Sequence, residues 1–403
     1  MLRNLFYILG IVSLLACSST GKALDQAANT PAEVAQQPRI IVIGDIHGDY
    51  AQFVKVLRRT GIVNRRNKWI GGKTHLVQLG DIPDRGPDTR KAMDLLMKLE
   101  KSSVKAGGAV TVVIGNHEAM NMTNDLRFVH PGEYQAFKDK GSKARQSTYY
   151  QQTLDYLTEK AGEDEAPVFD DAYREKWQRR FPQGYVEHRI AWAPTGKYGK
   201  WVLSHPTIVQ IGDTLFMHGG LSSKYSNMRL SEINTRVRTD LISAARLPED
   251  SIVEDPLGPL WYRGWAELMP TEQNIAALDK VLQAYGAKRM VIAHTPTLPI
   301  VLPRFAGKVL MVDVGLSAHY GNAFAALEIN NGKAIAIIGQ QNLELPTSDA
   351  DIDDYLDTAA SLSISPERVQ HYKKTRASKL EQAIHLERKL LEAKQVEQQS
   401  KAD

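Results

Sequence analysis

The sequence of 403 residues contains a single cysteine, Cys17. An intramolecular disulfide and a zinc site built from cysteine thiolates are therefore excluded, so any metal ion must be held by His, Asp, Glu or Asn side chains. The chain also lacks a strong charge bias, because 50 basic residues are balanced by 46 acidic ones. Since no dense basic run is interleaved with aromatic residues, we expect no nucleic-acid partner.

The N-terminus has the pattern of an exported bacterial protein. Arg3 precedes an apolar run at 5–15, which is too short for a bilayer-spanning helix of about 20 residues. We expect residues 1–16 to form a signal peptide. Residues 14–17, LLAC, resemble a bacterial lipobox, which implies lipidation of Cys17 as the first mature residue. The alternative is an ordinary signal peptide cut near Ala23, which would discard this cysteine.

Lipidation would place the chain in the bacterial cell envelope, with its folded domain in the periplasm. Several acyl chains on Cys17 would hold it stably on a membrane, since each buried methylene adds about 0.8 kcal/mol. Ser18 follows the cysteine, and by resemblance to other lipoproteins this favours the outer membrane over the inner one. We therefore expect the membrane to be a partner of the chain, through an N-terminal lipid.

Composition divides the chain after the predicted signal peptide into three parts. Residues 17–38 are small and polar, which suits a flexible tether that carries the lipidated N-terminus. Residues 39–345 hold the apolar runs of a folded domain, with a polar, aromatic-bearing insertion at about 121–200 that we expect to be partly helical. The Tyr and Trp residues of the insertion could form a wall that recognises a peptide. Residues 346–403 are predicted to be a C-terminal helical tail, with a helix start at Pro366.

Short apolar runs of β-type composition alternate with helical patterns in the folded domain. The predicted strands are Ile40–Ile43, His75–Leu79, Val110–Ile114, Thr214–Met217, Arg289–Ile292 and Val309–Val312. Helical patterns at Tyr50–Arg59 and Thr89–Lys101 lie between the first runs, where they would form crossovers. The pattern predicts an α/β arrangement, and two packed sheets flanked by helices would fit.

Four polar clusters follow predicted strands. They are GDIHG at 44–48, GDIPDRG at 80–86, GNHE at 115–118 and HGG at 218–220. Carboxylate, imidazole and amide groups suit Mn, Fe or Zn, and two such ions about 3.5 to 4 Å apart would activate a water and neutralise phosphoryl charge. One cluster alone would more often be a turn or a core histidine. Four in this order indicate a two-metal phosphoesterase.

The clusters resemble those of the phosphoprotein phosphatase branch of the calcineurin-like metallophosphoesterases, over about residues 39–330. The stretches 116–129 (NHEAMNMTNDLRFV), 192–221 and 260–263 (LWYR) are similar to the Shewanella-like protein phosphatases. The resemblance implies a four-layer α/β/β/α fold with a helical insertion. It also implies a phosphomonoesterase that acts on phosphotyrosine or on phosphoserine and phosphothreonine of proteins, by attack of a hydroxide bridging two divalent metal ions.

The same resemblance implies a set of metal ligands. The first ion would be held by Asp45, His47 and Asp81, and the second by Asp81, Asn116, His218 and His294. Manganese is expected, with iron or zinc as alternatives. His294 follows a predicted strand as required, but Ala293 stands before it where the subgroup usually has glycine.

The resemblance further implies a general-acid dyad and a phosphate clamp. His117 would pair with Asp84 and protonate the leaving oxygen, because a carboxylate partner fixes the imidazole tautomer and raises its pKa. Arg85, Arg263 and Asn116 would bind the phosphate, since a planar guanidinium can offer two parallel hydrogen bonds to phosphoryl oxygens.

Two other functions remain open from the sequence. The first is hydrolysis of nucleotides or dinucleoside polyphosphates, because enzymes of related families that catalyse these reactions have closely similar motifs. An acid at the position of Asp84 is usually missing in symmetrical dinucleoside tetraphosphate hydrolases, so its retention favours a phosphomonoester. The second is a non-catalytic metal-binding envelope lipoprotein, which would not need every ligand, the dyad and both arginines together. The sequence does not specify the oligomeric state.

Overall fold

The computed structural model describes residues 38–161, 168–243 and 247–402. The predicted signal peptide, the lipidation site Cys17 and the tether lie outside the described residues, so these remain predictions. In the described ranges, no helix combines the length and apolar character needed to cross a membrane.

The strands that the structure describes lie in two sheets. They are β1 (Ile40–Ile43), β2 (His75–Gln78), β3 (Ala109–Val112), β4 (Ile208–Ile211), β5 (Thr214–Met217), β6 (Arg289–Ile292), β7 (Leu302–Arg304), β8 (Val309–Met311), β9 (Ala325–Asn330), β10 (Lys333–Ile338) and β11 (Gln341–Glu344). Three of the predicted strands have these same bounds, and the other three differ by one or two residues at one or both ends.

The first sheet has the strand order β11-β10-β9-β1-β2-β3, and the second has the order β4-β5-β6-β8-β7. Both are mixed. β1, β2 and β3 pair in parallel, and β5, β6 and β8 also pair in parallel, while β9 and β4 run antiparallel to their neighbours β1 and β5. All four residues of β1 and of β5 are buried, as expected for strands covered on both faces.

The helices flank the two sheets. They are α1 (Tyr50–Arg59), α2 (Thr89–Lys105), α3 (Asn116–Met122), α4 (Pro131–Phe137), α5 (Ser142–Ala161), α6 (Asp171–Arg180), α7 (Tyr185–Trp192), α8 (Lys197–Leu203), α9 (Leu230–Ile242), α10 (Gly264–Glu267), α11 (Glu272–Ala284), α12 (Ile352–Leu362) and α13 (Pro366–Ala402), with a 3-10 turn at Asp349–Asp351. Sheets and helices together confirm the predicted α/β/β/α architecture.

Helices α4 to α8 occupy the predicted insertion. Its aromatic rings pack mainly against one another: the ring of Trp177 lies 5.4 Å from that of Tyr149 and 4.9 Å from that of Phe181, which in turn lies 5.0 Å from Tyr185. Trp177 is buried. These four rings therefore form a small core that stabilises the insertion itself.

The two sheets meet where their parallel strands end. A Cβ atom added to Gly44, which follows β1 in the first sheet, would lie 2.4 Å from the carbonyl oxygen of Val312, which follows β8 in the second. Only glycine allows the two backbones to approach this closely. The carboxyl ends of strands from both sheets therefore converge on one place, and the polar clusters lie there.

The predicted tail begins with helices that contact the rest of the fold. In α12, Tyr355 and Leu356 are buried, and the Tyr355 hydroxyl donates to the carbonyl oxygen of Val301 at 2.5 Å. The long helix α13 packs on α12 at its start, where Val369 is buried, and residues 391–399 are exposed. The domain boundary at residue 345 stays a prediction.

Candidate metal centre and acid dyad

The predicted ligands are carried by loops that follow five strands. Asp45 and His47 come after β1, Asp81 after β2, His218 after β5 and His294 after β6. Asn116, the sixth ligand, is the first residue of α3, which follows β3. All six side chains are buried, and the fold brings all of them together.

Asp81 lies at the centre of the cluster. Its Oδ1 is 3.2 Å from His218 Nε2, and its Oδ2 is 3.8 Å from His47 Nε2 and 3.7 Å from His117 Nε2. Two groups with the spacing of metal ligands share it: His47, Asp81 and His117 form one, and Asp81, His218 and His294 form the other. This sharing agrees with the bridging role predicted for Asp81.

The remaining ligands surround these groups. His218 Nε2 is 2.9 Å from Asn116 Oδ1 and 3.1 Å from His294 Nδ1. Asp45 Oδ2 is 3.6 Å from His47 Nε2, and its Oδ1 is 3.9 Å from His218 Nδ1. Nitrogen and oxygen donors of all six predicted ligands therefore lie around one small volume.

Two observations indicate that this volume suits cations. Burial, followed by the nearby Asp81 carboxylate, raises the pKa of Asp45 to about 7, so a bound cation would favour the ionised form of Asp45. In addition, the buried Nε2 of His294 has no hydrogen-bond partner among the described residues. A buried imidazole nitrogen without a partner is costly unless it binds a metal ion. The donor set fits the dimetal centre of the calcineurin-like phosphoesterases.

Backbone carbonyls orient two of the imidazoles. His218 Nδ1 lies 2.6 Å from the carbonyl oxygen of Leu79, and His47 Nδ1 lies 3.2 Å from that of Pro83. When each Nδ1–H donates to its carbonyl, the Nε2 lone pair points into the cluster. Pro83, within the cluster at 80–86, thus contributes its carbonyl to ring orientation.

The predicted dyad is formed. His117 Nδ1 and Asp84 Oδ2 are 2.5 Å apart, and both side chains are almost fully buried. Burial lowers the pKa of His117, but the Asp81 and Asp84 carboxylates outweigh it and the pKa is raised above its ordinary value. The proton on Nε2 is therefore retained to higher pH, and this atom is directed at the metal cluster.

The two predicted phosphate-binding arginines lie beside the cluster. The Arg85 guanidinium stacks on the Phe128 ring, 3.8 Å from its centroid, and its buried Nε has no partner in the described residues. Arg263 Nη1 donates to the carbonyl oxygen of His294 at 2.8 Å and to Thr295 Oγ1 at 2.9 Å. Both guanidinium groups keep N–H donors for a further ligand.

Five site residues have a left-handed backbone that side chains rarely adopt. Their φ angles are 47° at His47, 53° at Asp81, 74° at Asp84, 65° at Arg85 and 68° at His294. Each such angle is a local strain, and strain of this kind concentrates at functional sites. The surrounding hydrogen bonds hold these angles.

Glu118 supplies part of that support. Its Oε2 accepts from the backbone N–H of Gly115 at 2.8 Å and of Asp81 at 2.9 Å, and its Oε1 accepts from that of Ile82 at 2.8 Å. One buried carboxylate therefore joins the second cluster to the third.

Asp313 was missed by the sequence reasoning. It is buried after β8, and burial together with the Asp45 carboxylate raises its pKa well above the ordinary value. The predicted strand Val309–Val312 ends directly before it, so Asp313 follows a predicted strand as the four polar clusters do, and this pattern could have revealed it.

The support of the dyad comes from the start of the insertion and was also missed. Asn121 Nδ2 donates to Asp84 Oδ1 at 2.9 Å and to the carbonyl oxygen of His117 at 3.0 Å. The backbone N–H of Asp84 donates to Glu133 Oε1 at 2.8 Å. Asn121 lies four residues after His117, a helical spacing that could have revealed it, whereas Glu133 gave no signal.

Comparison with known proteins identifies the family. The family model described as calcineurin-like phosphoesterase matches residues 38–298. The chain is 31% identical over 321 residues to an uncharacterized protein of Schizosaccharomyces pombe, covering 77% of this chain and 82% of that protein. It is 28% identical to Shewanella-like protein phosphatase 2 of Arabidopsis thaliana, with 80% of this chain and 84% of that protein covered.

Among solved structures, the chain is similar to the cold-active protein-tyrosine phosphatase of a psychrophilic Shewanella species. The TM-score is 0.57 at 25% sequence identity, covering 77% of this chain and 80% of that chain. The predicted resemblance to the Shewanella-like protein phosphatases is thus confirmed, and the chain belongs to the calcineurin-like phosphoesterase family.

Proposed function

We propose that this chain is a metal-dependent protein phosphatase that hydrolyses phosphomonoesters of tyrosine, or of serine and threonine, in protein substrates. The observation that carries the proposal is the His117–Asp84 pair directed at the metal cluster, with His117 Nε2 3.7 Å from Asp81 Oδ2. A phosphomonoester with a poor leaving group needs such an acid. The similarity to two protein phosphatases supports the choice of protein substrates.

Each residue of the site has a separate task in this mechanism. When bound, two divalent ions would neutralise phosphoryl charge and activate the attacking water. Arg85, Arg263 and Asn116 would bind the phosphoryl oxygens and place phosphorus in line with that water. As the bond between phosphorus and the ester oxygen breaks, its electron pair stays on the oxygen, and His117 transfers the Nε2 proton to it. Asp84 holds the imidazole and stabilises its charge.

For the metals we propose manganese, with iron or zinc as alternatives, because carboxylate, amide and imidazole donors suit all three. Asp45, His47 and Asp81 would hold one ion, and Asp81, Asn116, His218 and His294 the other. Reconstituting the metal-free chain with each metal in turn and comparing kcat identifies the one that supports catalysis. A kcat with zinc well above that with manganese would contradict the first choice.

For location we propose a lipid anchor at Cys17 that holds the catalytic domain in the periplasm, at the outer membrane. The lipobox-like residues 14–17 support this proposal. Replacing Cys17 with alanine should release the chain from the membrane fraction and abolish labelling by a fatty-acid analogue. Labelling that persists in the Cys17→Ala variant would rule out this anchor.

The proposed function is tested by steady-state hydrolysis with manganese of three substrates: a phosphotyrosine peptide, a phosphoserine peptide and a dinucleoside tetraphosphate. His117→Asn and Asp81→Asn should abolish peptide turnover, and His371→Asn, the same change on exposed helix α13, should not. Turnover of the dinucleotide alone would transfer the assignment to polyphosphate hydrolysis. No turnover with any metal would support the non-catalytic alternative.

A further inference from the structure

A cavity of about 740 Å³ lies between the segment that follows α1 and the exposed face of α2, where its lining includes no predicted ligand or dyad residue. It is here called the basic groove. Its charged lining residues are five cations and one carboxylate: Arg66, Lys68, Lys91, Lys98, Lys105 and Asp94.

Three lysines of the groove form a row along α2. Lys91, Lys98 and Lys105 recur every seven residues, which keeps them on one face of a helix and separates neighbours by about 10.5 Å along its axis. The row is therefore about 21 Å long. An extended polypeptide of about six residues spans this length, at about 3.3 Å per residue.

The positive charge of the groove is mostly uncompensated. In the described part of the chain, the side chains of Arg66, Lys68, Lys98 and Lys105 form no ion pair. The one acidic residue of the lining, Asp94, is already paired with Lys197, which lies outside the groove. Four free cations therefore share one concave surface, which favours an anionic ligand.

The floor of the groove is apolar. Leu95 and Leu99 are buried in it, and Trp69 is half-buried with its indole Nε1 donating to the carbonyl oxygen of Gly72 at 3.2 Å. A concave surface with an aromatic floor and charged walls suits a polypeptide, which has both apolar and charged side chains, better than it suits a flat layer of lipid headgroups.

One end of the groove adjoins the catalytic loops. Tyr50, in its lining, lies three residues after the predicted ligand His47. Lys91 pairs with Asp88 at 2.7 Å, and the Asp88 backbone N–H donates at 2.9 Å to the carbonyl oxygen of Gly48, next to His47. A chain whose phosphorylated residue lies at the metal cluster could thus continue into the groove.

From these observations we infer that the basic groove binds an acidic stretch of the phosphoprotein substrate, about six residues long, that flanks the phosphorylated residue. The inference rests on the proposed function and adds a substrate class to it. The groove would act on substrate affinity, because it contacts neither the phosphate nor the leaving oxygen.

The test compares phosphotyrosine peptides with six added glutamates against matched peptides with six glutamines, on either side of the phosphorylated residue. In the full-length chain at low salt, one glutamate series should have a KM lower by about tenfold, from several weak exposed pairs acting together. The variant with Lys98→Glu and Lys105→Glu should lose this preference. The control with Lys101→Glu and Lys140→Glu, exposed lysines outside the groove, should keep it.

Equal KM values for the glutamate and glutamine peptides, or equal effects of the two double variants, would overturn the inference. Binding of a fluorescent, unphosphorylated hexaglutamate peptide is measured separately and involves no hydrolysis. Peptide binding that depends on Lys98 and Lys105 would support the groove even if no phosphopeptide is hydrolysed, in which case only the proposed function fails. If binding to phosphatidylglycerol vesicles depends on these lysines but binding to the peptide does not, the inference is overturned.

Discussion

The two sides of the catalytic site are built differently. On one side, loops at strand ends supply oxygen and nitrogen donors that converge on Asp81. On the other, the start of the helical insertion supplies Asn121 and Glu133, which hydrogen-bond to Asp84 and contribute no donor to the cluster. The first side is suited to holding ions, whereas the second positions a proton donor. The two tasks should therefore respond separately to mutation.

The largest effect is expected on the ligand side. Asp81→Asn removes the carboxylate shared by both groups of donors, so we expect kcat to fall by at least about a thousandfold. The metal content, measured by mass spectrometry of the purified protein, should fall with it. The His371→Asn variant serves as control. Full metal content in an inactive Asp81→Asn chain would mean that the two sides are not separable in this way.

A smaller loss is expected in the dyad. Asp84→Asn should lower kcat by about a hundredfold at unchanged metal content, because it acts on proton transfer. The sign of the pH effect follows from the raised pKa of His117: the acid works while protonated, so activity falls as pH rises through that pKa. Without the Asp84 carboxylate the pKa falls, and the basic limb of the kcat profile should move to lower pH. A limb that stays in place would exclude His117 as the acid.

Asn121→Ala should show the insertion acting on catalysis through Asp84. Losing the hydrogen bond to Asp84 Oδ1 loosens the dyad, and we expect kcat to fall about tenfold with KM and metal content nearly unchanged. Asn227→Ala, at an exposed loop position, is the matched control. A change in KM equal to that in kcat would indicate a general structural effect.

The smallest effect concerns stability within the insertion. His188 is fully buried beside Glu133. Burial is the main cause that lowers its pKa to about 3, and the positive charge of Arg189 is the second. The unfolded chain takes up a proton that the folded chain rejects, so stability is lost as pH falls below about 6.5. His188→Phe should remove this loss, worth about 2 kcal/mol between pH 6.5 and 5. Denaturant unfolding at both pH values measures the free energy of unfolding, with His371→Phe as control. If this free energy changes equally with pH in the wild type and in His188→Phe, the loss does not come from His188.

The same contrast explains what the sequence could predict. Asp45, His47, Asp81, Asn116 and His218 lie in clusters that follow predicted strands, and parallel strands end at a common edge, so their convergence was expected. The roles of all six ligands and of the dyad were implied by the resemblance, and the structure places these residues together.

The supporting residues depend on contacts that no local pattern shows. Glu133 lies 49 positions from Asp84, and its hydrogen bond to the Asp84 backbone exists only because the insertion folds back on the cluster at 80–86. Two of the three hydrogen bonds that Glu118 accepts, those from the backbone N–H groups of Asp81 and Ile82, likewise depend on tertiary approach. The left-handed angle at Arg85 could not be expected either, since a long side chain of this kind rarely adopts it.

Those five left-handed residues have a thermodynamic consequence for the metal-free protein. At about 1 kcal/mol or more each, together they cost about 5 kcal/mol, comparable with the whole net stability of many domains. Ions that bind only the folded chain would offset this cost by mass action. Chelation should then lower the melting temperature as well as the activity, so the level of available metal in the cell would set how long the folded enzyme persists.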